Sequence, residues 1–250
     1  MNGFAFGSVA SPIRIVKATP RIVLRAMRSW AGPFEPVFVK VLPVNARSIE
    51  AVCAWLATEI ELPAPQPMLL DMPASRIPRG CDWPFGTNAY ATCFATRAVE
   101  NAFPLSNVSS DVATAMIDKW ASLPAAAVFD QLIANDDRTE GNILLGPRRD
   151  LWLIDHGRSL GGGGQRLFST DVTPSTANFL LSRVANFPAQ ERVRLRPALI
   201  AICTRLASAV RRVPYAALLV PEDIAMQIED LFVSQSWHAP SDGASVHRIT

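Results

Sequence analysis

Three polar side chains near the middle of the chain have the types and spacing to hold a hard cation. They are Asp137, Asn142 five residues later, and Asp155 thirteen beyond that. Asn142 opens an apolar run, Asn142-Ile143-Leu144-Leu145. A polar turn follows, Gly146-Pro147-Arg148-Arg149-Asp150, and then a second apolar run, Leu151-Trp152-Leu153-Ile154. Two short strand-like runs around a Gly/Pro turn predict a β-hairpin. A hairpin brings its outer ends together, so Asn142 and Asp155 are expected on neighbouring strands with Cα atoms roughly 5 Å apart. At that separation an amide oxygen and a carboxylate can share one cation through oxygen ligands. Asp137, on the loop leading in, faces the same spot. Asp, Asn and Gly are also what turns are made of, but three matched positions flanking two strand-like runs favour the metal site.

The same residues carry a family resemblance. Phe129-Asp130-x-x-Ile133-x-Asn135-x-Asp137-Arg138-x-x-x-Asn142, followed by Ile154-Asp155-His156-Gly157, resembles the HipA-like branch of the kinase superfamily. The Asp-Arg-x-x-x-Asn core is also similar to that of phosphatidylinositol kinases, which often carry a His where Thr139 stands. His156 takes the place of the Phe that protein kinases favour in the metal loop. The resemblance covers residues 126–160 and extends to 20–70. It implies an α+β, two-lobed protein-kinase-like fold with a strand-rich N-terminal lobe and a mainly helical C-terminal lobe. It also implies ATP and Mg²⁺ as cofactors, Asn142 and Asp155 as metal ligands, and Asp137 as the catalytic residue that orients or deprotonates an acceptor hydroxyl.

Such a fold needs a lysine on an upstream strand and a glutamate on the next helix. Pro36-Val37-Phe38-Val39-Lys40-Val41-Leu42-Pro43 is a β-branched and aromatic run with one charge embedded in it. A lysine between two valines in a half-buried strand needs a partner, because unpaired buried charge is costly. The resemblance gives Lys40 the α/β-phosphates; the alternative is a lysine on a solvent-facing strand surface. Ile49, Val52, Cys53, Leu56 and Ile60 fall at helical spacing, with Ser48 as a suitable N-cap and Glu50 in the first turn. HipA-like kinases carry a Glu near the start of this helix, which makes Glu50 the ion-pair partner of Lys40, with Glu59 and Glu61 as rivals. A first-turn Glu also favours the helix dipole with no further role. The Gly-rich phosphate loop of protein kinases is faint here: Arg28-Ser29-Trp30-Ala31-Gly32-Pro33-Phe34-Glu35 has a single Gly. It reads as a hairpin tip whose backbone N–H groups can face a phosphate, or as a plain turn.

Elsewhere the composition is that of an ordinary globular chain. With 250 residues, 49% of them hydrophobic and 18% charged, there is material for a large core in one domain or two lobes. A net charge of +2 carries no signal for nucleic acid. Arg192, Arg194, Arg196, Arg205, Arg211 and Arg212 concentrate on one late helical stretch, read as a solvated face or, less directly, as a patch for an acidic partner. Cys53, Cys81, Cys93 and Cys203 show no zinc spacing, and thiol usage of this kind fits a reducing compartment. No stretch has the length and apolarity of a membrane span, and the N-terminus has no charged leader ahead of an apolar core, so a cytoplasmic protein is expected. Three units are predicted: residues 1–104 as a nucleotide-binding lobe, 105–236 as a helical catalytic lobe and 237–250 as a flexible tail. Helices are expected over 111–123, from Pro124 to Asn135, and over 176–186, 188–212 and 221–236. Gly161–Gly164 falls where an activation segment would lie, with Ser159, Ser169 and Thr170 as candidate autophosphorylation sites near it.

The function these readings support is an ATP-dependent kinase that transfers the γ-phosphoryl group to a hydroxyl, with protein Ser/Thr the acceptor that the HipA-like resemblance implies. Similarity to phosphatidylinositol kinases keeps a lipid or small-molecule acceptor open. A pseudokinase binding module is the second alternative. A metal-dependent phosphohydrolase built on Asp136, Asp137, Asp155 and His156 is a third, but three histidines in the chain are few for a two-metal site.

Overall fold

The computed structural model describes residues 5–17, 22–29, 35–77, 89–160 and 178–234. Five strands close into a barrel in the order β1-β2-β3-β5-β4. They are β1 (Ala5–Lys17), β2 (Ile22–Ser29), β3 (Glu35–Val41), β4 (Pro67–Pro73) and β5 (Tyr90–Arg97). All neighbours are antiparallel except β1 and β4, which pair in parallel from Ala5 opposite Met68 to Ser8 opposite Asp71. That parallel ladder closes the barrel.

The alternation of β3 decides what faces the site. Val37, Val39 and Val41 are buried and pack inward with Met68, Leu70, Met72, Cys93 and Ala95. Phe38 and Lys40, offset by one residue, point to the opposite face. Against that face lies α1 (Val44–Glu59), in which Ser48 through Ala57 are all buried. The helix begins four residues before the expected start. Its N-cap is Pro43, and Ser48 lies inside, its hydroxyl donating to the Val44 carbonyl at 2.8 Å. Nothing in Asn45-Ala46-Arg47 opposes helix, so the helix extends back to the proline that cannot continue it. Glu50 therefore stands in the second turn, not the first.

A second sheet joins β6 (Phe103–Pro104), β7 (Ile143–Leu145) and β8 (Leu151–Leu153) in that order. Around it lie α2 (Ser110–Asp118), α3 (Leu123–Leu132), α4 (Phe179–Ala185), α5 (Ala189–Val210) and α6 (Glu222–Ser234). Pro124 occupies the first turn of α3, as its fixed φ favours. One apolar cluster runs from Leu42 and α1 through Leu105, α3 and the β7–β8 hairpin to Ile228 and Phe232 of α6. The barrel interior forms a separate cluster. Thus α1 packs into the same core as the helices that follow it.

Two arginines of this stretch, Arg205 in α5 and Arg212 two residues past its end, have partners near the end of α1. Arg205 donates to the Glu59 carbonyl at 2.9 Å and pairs with Glu61, and Arg212 pairs with the Glu59 carboxylate at 3.1 Å. These contacts tie α5 to the end of α1 and remove two members of the predicted acidic-partner patch. Ser159 is fully buried and unsuited to modification, while Ser169, Thr170, Gly161–Gly164, the 30–34 tip and the 237–250 tail lie outside the described residues. Among the described residues no helix is long and apolar enough to cross a membrane.

Asn178 docks α4 onto α3. Its Oδ1 accepts from the Leu181 N–H at 2.9 Å as an N-cap, and its Nδ2 donates to the Ala127 carbonyl at 3.0 Å, with the residue 4% exposed. Asn178→Ala is expected to lower the unfolding free energy by about 1–3 kcal/mol in urea titrations, and Asn178→Ser, which keeps a cap acceptor and sets no charge against the Ala127 carbonyl, by less. Equal losses in the two variants would overturn the cap assignment.

Candidate active site

The β7–β8 hairpin forms where the alternation of Ile143, Leu145, Leu151 and Leu153 demands it, with all four buried. Its turn is closed by Gly146 N–H to the Asp150 carbonyl at 2.8 Å, and the Asp150 carboxylate accepts from the Trp152 indole at 2.6 Å. A Cβ on Gly146 would stand 2.5 Å from that carboxylate, so a larger residue here would have to displace the Asp150 side chain and its bond to Trp152. Ile143 pairs with Leu153, and the Ile154 N–H donates to the Asn142 carbonyl at 3.1 Å. Asn142 therefore faces Ile154, and Asp155 lies one residue past the pairing that the sequence suggests. It leaves the strand through a left-handed backbone, φ 59°. Such a conformation is tolerated by Asp more readily than by most residues and is concentrated at functional sites.

Lys40 is bonded to two carboxylates. Its ammonium donates to Glu50 Oε1 in a close ion pair and to Asp155 Oδ1 at 3.1 Å. The other oxygen of Glu50 accepts from the His156 N–H at 3.1 Å. One buried carboxylate, 1% exposed, thereby joins the barrel strand to the loop that carries Asp155. Burial alone would lower the Lys40 pKa, but the charges of Glu50 and Asp155 outweigh it and hold the ammonium above its ordinary range. Burial pushes the Glu50 carboxyl up; Asp155 adds to that shift and Lys40 opposes it. Glu59 and Glu61, the rival partners, are engaged with α5 instead.

Arg138 organises the loop between α3 and β7. Its Nε and one Nη2 hydrogen grip Asp130 in bidentate fashion at 2.7 and 2.9 Å. The second Nη2 hydrogen meets His156 Nδ1 at 3.1 Å, and Nη1 donates to the carbonyls of Asn142 and Ile154 at 2.9 and 2.6 Å. All five guanidinium donors are satisfied. Asn135 completes the cluster, donating to Asp130 Oδ1 at 3.1 Å and accepting the Asp137 N–H at 3.2 Å. Asn142 Nδ2 donates to the Asp137 carbonyl at 2.7 Å, so the two loop residues hold each other.

Lys40, Glu50, Asn142 and Asp155 share the wall of one cleft of about 340 Å³. The rest of that wall is largely apolar, with Phe38, Ala54, Phe94, Leu144 and Leu153. An apolar slot ending in a cluster of charge suits a ligand with a flat hydrophobic end and a charged end. Asp137 is outside this wall and joined to it through Asn142. A neighbouring cavity of about 500 Å³, lined by Glu61, Gln66, Arg97 and Trp152 among others, holds none of the five residues.

The donor set fits a hard cation. Among the described residues no three His, Cys, Asp or Glu side chains cluster as a self-sufficient metal site. Magnesium, however, is bound by one or two protein oxygens together with phosphate and water. Asp155 supplies a carboxylate, and with Nδ2 of Asn142 committed to Asp137, its Oδ1 is the atom available to a cation. Lys40, Glu50 and Asp155 together carry one net negative charge. His156 does not suit the role of ligand that the phosphohydrolase alternative requires: it is 3% exposed, its Nδ1 faces Arg138 and its ring packs edge-on against Phe129 at 5.5 Å.

Burial, reinforced by the charges of Arg138 and Lys40, holds His156 well below the ordinary imidazole range. The unfolded chain takes up this proton near pH 6.5 and the folded chain does not, so stability falls as pH drops below about 6.5. His156→Gln should flatten that fall, the difference reaching at most about 1.4 kcal/mol per pH unit in urea titrations between about pH 6.5 and 5. Parallel pH profiles for the two proteins would contradict the neutral, buried imidazole.

The chain matches the family model of HipA-like kinases over residues 36–214. No curated protein matches it. Among solved structures it is similar to the proinflammatory kinase CtkA of Helicobacter pylori, at 10% identity and a TM-score of 0.55, over 98% of this chain and 97% of that one. At so low an identity the likeness is one of fold, and it extends the protein-kinase-like α+β architecture over nearly the whole chain. The family match is wider than the segments whose motifs carry the resemblance, and it encloses Lys40, Glu50, Asp137, Asn142 and Asp155. The chain belongs to the HipA-like kinases.

Proposed function

We propose that the protein is an ATP- and Mg²⁺-dependent kinase that moves the γ-phosphoryl group to a hydroxyl, with serine or threonine of a protein as the acceptor. The observation that carries this reading is the Lys40–Glu50–Asp155 cluster at the charged end of an apolar cleft. Within it, residues 1–104 act as the nucleotide-binding lobe and 105–236 as the catalytic lobe. The free thiols of Cys53, Cys93 and Cys203 agree with a cytoplasmic setting.

In this mechanism the apolar wall takes the nucleobase and Lys40 binds the α/β-phosphates. Glu50 keeps the ammonium in place and, through the His156 N–H, fixes the loop bearing Asp155 at the same time. Asn142 and Asp155 would hold Mg²⁺, which when bound would neutralise charge on the transferred phosphate. Asp137 orients the acceptor hydroxyl and receives its proton. The acceptor oxygen bonds to the γ-phosphorus as the bond to the β–γ bridging oxygen breaks and ADP departs with that electron pair. Catalysis of this type is mainly positioning and electrostatic stabilisation, and the density of hydrogen bonds around Asp137 and Asp155 is suited to it.

The test is incubation with Mg²⁺ and γ-labelled ATP, with and without a lysate as acceptor source. Asp155→Asn is expected to abolish both label transfer and the Mg²⁺-dependent rise in melting temperature caused by ATP. Asp137→Asn should keep that rise while transfer falls by about 10²–10⁴-fold. A wild-type protein that is stabilised by Mg·ATP yet transfers nothing to any component would be a pseudokinase. No thermal response to Mg·ATP would remove the nucleotide site altogether.

A further inference from the structure

Arg158 has no part in the chemistry above, yet its Nη1 donates to Asp137 Oδ1 at 3.1 Å. The backbone on both sides of Arg158 is fixed. The Ser159 N–H donates to the His156 carbonyl at 2.9 Å and the Leu160 N–H to the Ile133 carbonyl at 2.6 Å, with His156, Ser159 and Leu160 all buried. The guanidinium thus projects from an anchored turn that also carries Asp155, three residues earlier.

Asp137 is held on both sides of its own backbone. Its N–H is bonded to Asn135 and its carbonyl to Asn142. The freedom left is that of the carboxylate, and among the described residues Arg158 is the side chain bonded to it. The two side chains are 46% and 36% exposed, so the pair stands open to an incoming acceptor and contributes little to stability.

We propose that Arg158 is a positioning residue for phosphoryl transfer, fixing Asp137 through Oδ1 so that Oδ2 receives the proton of the acceptor hydroxyl. This assignment rests on the kinase reading. In the step, the acceptor O–H bond breaks toward Oδ2, the acceptor oxygen bonds to the γ-phosphorus, and the bridging oxygen leaves with ADP. A rigid guanidinium suits the task because it keeps its charge at any working pH and donates from a fixed planar fork. Through Arg158 the loop bearing Asp155 and the loop bearing Asp137 are set relative to one another at the point where the acceptor arrives.

The test is a double-mutant cycle on the full chain with Mg²⁺ and γ-labelled ATP, reading label on the chain and label released as inorganic phosphate. Arg158→Ala should lower kcat about 10²-fold, as for a misplaced catalytic group, and leave KM for ATP within about twofold. Arg158→Lys, or guanidinium ion added to Arg158→Ala, should restore part of the loss. In an Asp137→Asn background, Arg158→Ala should cost nothing further, because the residue acts through Asp137. Melting temperatures of the variants near that of the wild type would confirm that the loss is not one of folding. Wild-type turnover with Arg158→Ala equal or faster would overturn this assignment alone, as would a further loss in the Asp137→Asn background. Absence of turnover in the wild type, with the lysate also present as acceptor source, would instead sink the kinase reading, and this assignment with it.

Discussion

Glu50 is a carboxylate buried almost completely between a barrel strand and a loop, and the site depends on how its two oxygens are spent. One accepts from the Lys40 ammonium, the other from the His156 backbone N–H. A buried charge left without such partners costs several kcal/mol, so strand β3, helix α1 and the loop after β8 are compelled into one arrangement. The cost of burial is recovered as geometry: Lys40 is delivered to Asp155, and Asp155 to the mouth of the cleft.

A second buried ion pair does the equivalent for the loop between α3 and β7. Arg138 and Asp130 are hidden from solvent, and the guanidinium uses its remaining donors on the backbone carbonyls that flank the site residues. Neither residue faces the cleft. Their work is to hold Asn142 and Ile154 so that the outer ends of a hairpin with two three-residue strands stay at a fixed separation. His156 belongs to this second cluster by its ring and to the first by its backbone, which makes it the joint between them.

Much of this was legible in the residues. The hairpin is written in alternation around a Gly/Pro turn, and Lys40 stands out as a lone charge in a valine-rich strand. Arg138 stands in the motif itself, and its bonds to Asp130 and to the carbonyls of Asn142 and Ile154 account for its place there. Helical phase alone could not separate Glu50 from Glu59 and Glu61; Arg205 and Arg212, some 150 residues away, make that choice. Ser48 has the chemistry of an N-cap, but Pro43 sets the helix start. The left-handed Asp155 and the parallel closure of β1 on β4 leave no local signature, because both are imposed by distant parts of the chain. Arg158 escaped notice for the same reason: its partner lies 21 residues upstream with no periodicity to link them.

Ten consecutive residues of α1 are buried, and its end is tied to Arg205 of α5 and to Arg212 just beyond that helix. A helix enclosed on every side has no hinge about which to swing, and tilting it would open the largest apolar core of the protein. Withdrawal of Glu50 from Lys40 is therefore an expensive way to silence the site. In the kinase reading proposed above, a protein built in this manner is preset for nucleotide, and its control falls to access: what reaches the Asp137 carboxylate, and when.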